Sequence, residues 1–251
     1  MGIEVSSISD VGLKRKVNQD SILVYRHNAK QFYLFAVADG MGGYSSGEKA
    51  SGAITAGLRS WLDASLPTGG LNSPTAVFTG LGEQLSAINR SIRENYNNNQ
   101  ICGSTCTLLF IQDDLYGVFN VGDSRVYRAH GLLGFDQLTQ DDVWENQPQI
   151  RAQLSATQRA KSPEYGKLTQ AVGVKDELNY SMSTGRLQQD SVFALCSDGV
   201  YKMVSERFFR KAVASAKRRP LDEVCEEIKR EVYRCGAGDN LSLILVRWSR
   251  K

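Results

Sequence analysis

Seven apolar residues run without a break from Phe32 to Ala38, and the run ends on Asp39-Gly40-Met41-Gly42-Gly43. A short run of this kind, closed by glycines, reads as a buried strand. A carboxylate at its tip, beside backbone freed by Gly40, is a natural place to hold a hard cation. Aspartate supplies anionic oxygen, and a glycine peptide can turn its carbonyl to the same ion. One such pair is ordinary turn chemistry. Here the pattern returns in Leu195-Cys196-Ser197-Asp198-Gly199 and in Gly236-Ala237-Gly238-Asp239-Asn240, just before a last strand. A further acid lies in Val121-Gly122-Asp123-Ser124-Arg125. Aspartates at strand edges beside glycine, met four times, predict one convergent acidic site.

The oxygen-only character of that set matters. The chain has two histidines, His27 and His130, both at strand ends away from the Asp-Gly motifs. They read as surface residues, so the donor set selects Mg2+ or Mn2+ over zinc or copper. No cysteine is followed by five residues and an arginine, which argues against a cysteine phosphatase loop. Cys102, Cys106, Cys196, Cys225 and Cys235 contain no C-x-x-C pair and read as reduced packing thiols of a cytoplasmic protein. A net charge of +3 is too small to argue for nucleic acid or a membrane surface. No signal peptide and no apolar run of about 18 residues are visible. Met1-Gly2-Ile3-Glu4-Val5-Ser6 fits a loose acylation pattern, but a strand starting at Ile3 is the preferred reading.

At 251 residues the chain fits a single domain, 1–251. Strands are expected at 3–9, 21–26, 107–112, 116–121, 125–129, 133–138, 179–185, 191–197 and 241–248. Residues 10–20 read as a basic hairpin loop, with Arg15 as a fork for phosphate in the functional alternative. Leu81, Leu85, Ile88 and Ile92 predict a long helix ending at Asn97-Asn98-Asn99-Gln100. Helices are also expected after Tyr44-Ser45-Ser46-Gly47-Glu48-Lys49 to about Leu62, over 205–216 and from Pro220. A P-loop fails at Gly42 to Lys49, because Glu48 intrudes before the lysine. Residues at about 140–175 form a polar excursion, a flap. Helices segregated from tightly linked antiparallel strands make this α+β, two sheets face to face with helices outside.

Arg15-x-x-Asn18-Gln19-Asp20, Asp39-Gly40-Met41-Gly42-Gly43, Gly122-Asp123-Ser124-Arg125, Ser197-Asp198-Gly199 and Gly238-Asp239-Asn240 together resemble the ordered motif set of the metal-dependent type 2C protein serine/threonine phosphatases. The Met after Asp39-Gly40 is similar to the bacterial branch. The resemblance spans residues 6–247. It implies a four-layer α-β-β-α sandwich of two antiparallel sheets flanked by helix pairs, with a two-metal site at the sheet edge. It implies that Asp39 bridges two Mn2+ or Mg2+ ions about 4 Å apart, that the Gly40 carbonyl binds one, and that Asp198 and Asp239 bind the other. Asp20 would hold metal-bound water. Asp123 with Asp198 would hold a weaker third ion. Arg15 would clamp the substrate phosphate, and Asn240 would orient Asp239 or a water. A metal-bridging hydroxide would then attack phosphorus in line. The implied partners are phosphoprotein targets of a Ser/Thr kinase, met by a monomer that binds neither nucleic acid nor membrane.

Gln19 stands where many members carry Glu, which predicts weaker binding of one metal. Asp142 stands in the flap entrance where His is common, which places substrate preference or third-metal binding in question. Lys217-Arg218-Arg219 reads as a solvated interhelical loop, with a docking patch as the alternative. The competing function is a catalytically silent regulatory scaffold with the same fold; loss of Asp39, Asp198 or Asp239 would mark it, and all three are present.

Overall fold

The computed structural model describes residues 2–42, 46–96 and 101–249. Gly43, Tyr44, the start of the acylation pattern at Met1 and the helix end expected at 97–100 lie outside them. In chain order the elements are β1 (Gly2–Asp10), β2 (Asp20–His27), β3 (Phe32–Gly42), α1 (Ser46–Ser65), α2 (Pro74–Tyr96), β4 (Cys102–Ser104), β5 (Cys106–Gln112), β6 (Leu115–Val121), β7 (Arg125–His130) and β8 (Gly134–Gln137). Then follow α3 (Pro148–Gln153), α4 (Ala156–Ala160), β9 (Ser181–Arg186), β10 (Ser191–Cys196), α5 (Asp198–Tyr201), α6 (Glu206–Ser215), α7 (Leu221–Arg234) and β11 (Leu241–Ser249).

The strands make two antiparallel sheets, ordered β1-β11-β10-β7-β8 and β2-β3-β5-β6-β9, with β4 added beside β3. The apolar run 32–38 is continuous because both of its faces are covered. Phe32, Leu34, Ala36 and Ala38 face α1 and α2, in a core with Ile54, Leu58, Leu81 and Leu85. Tyr33, Phe35 and Val37 face the other sheet, packing with Phe193, Leu195, Ile244 and Val246. A third core joins the far face of β10 and β11 to α6 and α7 through Ala194, Leu243, Phe209, Val224 and Ile228. Three cores separate four layers, so the expected α-β-β-α sandwich is the fold.

Local signals set the helix limits. The 81, 85, 88, 92 stripe of α2 is buried throughout. Ser205 caps α6 by accepting from the Phe208 N–H (3.3 Å), and Asp222 and Glu223 sit in the first turn of α7. Ser155 and Gln158 form a capping box on α4.

Two expected pairings are corrected. β1 and β2 do not form a hairpin: β1 pairs with β11 and β2 with β3, so residues 11–19 carry the chain from one sheet to the other. Likewise β6 pairs with β5 and β9 while β7 pairs with β8 and β10, and Gly122-Asp123-Ser124 is a crossing between sheets. Both crossings lie at the edge where β2, β3, β10 and β11 present their acids. Segment 140–175 is closed on itself by the bridge Val143↔Leu168 and tied to the body by the bridge Ser104↔Val172. The short β4 and α5 have no periodicity to announce them.

Candidate active site

Strand register brings the first two acids together. Asp20 lies directly opposite Asp39 across β2 and β3. With a side-chain period of two, Asp39 continues the inter-sheet face of Tyr33, Phe35 and Val37, and emerges at its rim. Asp39 is fixed by Thr105, which separates β4 from β5 where both pair with β3. The Asp39 N–H donates to Thr105 Oγ1 (3.0 Å), and the Asp39 carbonyl accepts from the Thr105 N–H (2.9 Å) and Ser104 Oγ (3.0 Å). From the facing sheet, Asp198 opens α5 directly after β10, and Asp239 leads into β11 after a turn with Gly236 and Ala237 at positive φ. Asp123 sits in the β6–β7 crossing, where Gly122 has φ +99°. Arg15, Asp39, Gly40, Asp123, Asp198 and Asp239 line one cleft of about 310 Å3. Asp20 is buried close by, its Oδ2 accepting from Ser197 Oγ (2.7 Å).

Gly40 has no room for a side chain: a Cβ there would lie 2.1 Å from the Gly47 carbonyl oxygen and 2.6 Å from that of Gln19. The strand tip is therefore pressed against the start of α1, which fixes where Asp39 emerges.

These acids form a like-charge cluster. Burial raises the Asp39 carboxyl well above its usual range, and Asp20, Asp198, Asp123 and Asp239 all push it further. Burial also lifts Asp20 to about 6, against hydrogen bonds from Ser197 and Ser242 that favour its charged form. Asp20 Oδ1 is buried with no hydrogen-bond partner. Among the described residues no group of three or more His, Cys, Asp or Glu side chains is already closed into a metal cage. Two basic residues hold the acids instead. Arg15 grips Asp239 with both ends, Nε to Oδ1 and Nη2 to Oδ2, each 2.8 Å. Lys202 Nζ spans Asp198 Oδ2 (2.8 Å) and Asp123 Oδ2 (3.0 Å). An all-oxygen set with a repelled carboxylate at its centre and an orphaned oxygen beside it fits hard divalent cations.

Several expected roles change. The Asn240 side chain does not orient Asp239; that contact comes from its backbone N–H, 2.8 Å from Asp239 Oδ1. Its amide instead staples the Arg15 loop, donating to the carbonyls of Val11 (2.9 Å) and Val17 (3.0 Å) and accepting from the Gln19 N–H (2.9 Å). The Gln19 carbonyl takes the Gly40 N–H (3.0 Å), so this loop also positions the strand tip. Asp142 accepts from the Gly122 N–H (2.9 Å) and so anchors the crossing that carries Asp123. Lys217 donates to the Gly131 carbonyl (2.7 Å), and Arg219 pairs with Glu227, so two of the three residues in the basic run brace the fold. His130 pairs with Asp136 (2.7 Å) and is not among the residues lining the cleft. The sequence reading missed Lys202, although an i, i+4 spacing from Asp198 on a helix was a signal for it. It also missed Thr105, which carries no local signature, and gave Ser197 no role beyond its place in the Ser197-Asp198-Gly199 motif.

The sequence profile of the family described as Protein phosphatase 2C matches residues 14–230. Protein phosphatase PhpP of Streptococcus pneumoniae is 30% identical over 247 residues, covering 97% of each chain. The serine/threonine phosphatase of S. agalactiae superposes with a TM-score of 0.86 at 23% identity, covering 99% of this chain and 100% of the other. The catalytic domain of serine threonine protein phosphatase PstP, solved in complex with two manganese ions, gives 0.78 at 24% identity, covering 99% of each. The structural matches speak to the fold, and the profile and the sequence relative to descent. Carrying five ordered motifs on the matching sandwich, this chain belongs to the protein phosphatase 2C family.

Proposed function

We propose that this chain is a metal-dependent protein phosphatase that hydrolyses phosphoserine and phosphothreonine in targets of a Ser/Thr kinase. The observation that carries the reading is the convergence of Asp39, Asp198 and Asp239, with Arg15 beside them, on one cleft. In this reading Asp39, the Gly40 carbonyl, Asp198 and Asp239 would hold two Mn2+ or Mg2+ ions, with buried Asp20 beside them. When bound, such ions lower the pKa of water towards about 7 and so supply a nucleophile at neutral pH.

The chain's own residues do the rest. Of the five N–H donors of a guanidinium, Arg15 uses two on Asp239, leaving three to grip phosphate oxygens as charge redistributes in the transition state. The same grip aligns Arg15 with the acid it accompanies. Met41 follows Gly40, and no histidine lines the cleft among the described residues; in this reading the proton for the leaving oxygen would come from water held by the metal. The reading extends to residues 1–251 as one phosphatase domain, with 140–175 as its flap, and to a cytoplasmic monomer. No helix among the described residues is long and apolar enough to cross a membrane.

The test is hydrolysis of a phosphothreonine peptide by the wild-type chain with Mn2+, with chelator, and by Asp39→Asn. Turnover that needs the metal and vanishes in the variant is expected. Folded wild-type protein that gives no turnover under any metal condition would favour the silent scaffold.

A further inference from the structure

Lys202 belongs to no motif, yet its ammonium sits where two of the acids meet. It lies one helical turn beyond Asp198, at the end of α5. Its Nζ is 2.8 Å from Asp198 Oδ2 and 3.0 Å from Asp123 Oδ2. The position is braced from behind. Tyr201 Oη donates to the Asp123 carbonyl (3.0 Å), which fixes the backbone of that acid. The Arg125 guanidinium lies 3.6 Å from the centre of the Tyr201 ring and is itself held by Asp141, Nε to Oδ1 at 2.9 Å and Nη2 to Oδ2 at 2.6 Å. Asp123 is buried, so its charge requires a cation close by.

Both lysine contacts go to Oδ2 atoms. Oδ1 of Asp198 takes no part in the lysine contact. An ion bridging Asp123 and Asp198 would have to displace the ammonium or share its two oxygens at like-charge contact distance. We propose that the Lys202 ammonium stands in for a third divalent ion, so that this chain holds two ions and not three. The proposal rests on the two-ion reading above. It gives the site a permanent positive charge on the Asp123 side that does not depend on metal concentration.

The test counts bound Mn2+ on the full chain, by calorimetric titration and by metal analysis after equilibrium dialysis at millimolar Mn2+. It compares wild type, Lys202→Met, which removes the ammonium and keeps the stem, and Lys202→Asp, which adds a ligand. Circular dichroism checks the fold of each; Lys202 is half-exposed, and neither change opens the core. Two ions on the wild type and a third, weaker one on both variants are expected, tighter in Lys202→Asp. Three ions on the wild type overturn the inference and leave the two-ion reading standing. Two ions on all three proteins also overturn it, because the lysine would then exclude nothing. Fewer than two on the wild type refutes the two-ion reading itself.

Discussion

Asn240→Ala removes the staple between the Arg15 loop and the turn that carries Asp239. The side chain is 5% exposed and makes three hydrogen bonds, to the Gln19 N–H (2.9 Å), the Val11 carbonyl (2.9 Å) and the Val17 carbonyl (3.0 Å). Gln19 and Val11 are half-buried, so each loses about 1 kcal/mol or slightly more when its partner is deleted. Val17 is exposed, and water can replace its bond, so it adds about 0.5 kcal/mol. With the small void left behind, the sum is about 3 kcal/mol, which for a chain of this length lowers Tm by roughly 6–10 °C. The same loop delivers Arg15 and, through the Gln19 carbonyl, the Gly40 N–H. A fall of about tenfold or more in kcat/KM on a phosphothreonine peptide at saturating Mn2+ is therefore expected. Asn240→Asp separates the parts, because it keeps an acceptor for Gln19 but sets a carboxylate against two carbonyls; it should be at least as damaging as Ala. A thermal melt within 2 °C of wild type, together with kcat/KM within about twofold, would refute the staple.

Arg15→Ala should lower kcat/KM by about 10- to 100-fold, the loss of a charge-assisted hydrogen bond, with Arg15→Lys recovering only part of it because the fork is lost; steady-state kinetics with phosphopeptide decide this, and an unchanged kcat/KM rejects the clamp. Gly40→Ala forces a Cβ to 2.1 Å from the Gly47 carbonyl oxygen, backbone that cannot move aside cheaply, so a melt reduced by more than about 3 kcal/mol is expected; a wild-type melt would show that α1 and the strand tip are not locked together. Asp10 ties β1 to α7. Burial opposes its charge, but Lys229 Nζ (2.7 Å), Tyr233 Oη (2.6 Å) and the Gly12 N–H (2.9 Å) outweigh that and hold its carboxyl at about 2, below the ordinary 3.8. Its folded pKa being depressed, its contribution is complete above pH 3.8 and is lost as pH falls through about 2. Solvent screening limits that contribution to about 1 kcal/mol; denaturant melts of Asp10→Asn should show this loss at pH 7 and a shrinking one as pH falls to and below about 2.

Much of the fold could be read along the chain because local rules set it. The run 32–38 needs cover on both faces, and the 81, 85, 88, 92 stripe needs one, so a strand and a helix follow from period and polarity alone. The acids were visible for the same reason: carboxylates beside glycine at strand tips are a local pattern. Partner choice was not visible. A loop of the length of 11–19, or of 122–124, serves a hairpin or a crossing equally well, and only the packing of β1 on β11 and of β7 on β10 decides between them.

The sequence by itself therefore determined which residues carry charge, which faces must be buried and that several aspartates end at strand edges. Tertiary structure decided what those aspartates do to one another. The register that sets Asp20 opposite Asp39, the amide of Asn240 reaching residues more than 220 positions away, and the lysine lodged between Asp123 and Asp198 all join segments remote in the chain. The reason is physical: propensity and periodicity act over a few residues, whereas electrostatic and hydrogen-bond partners are set by which layers the cores press together.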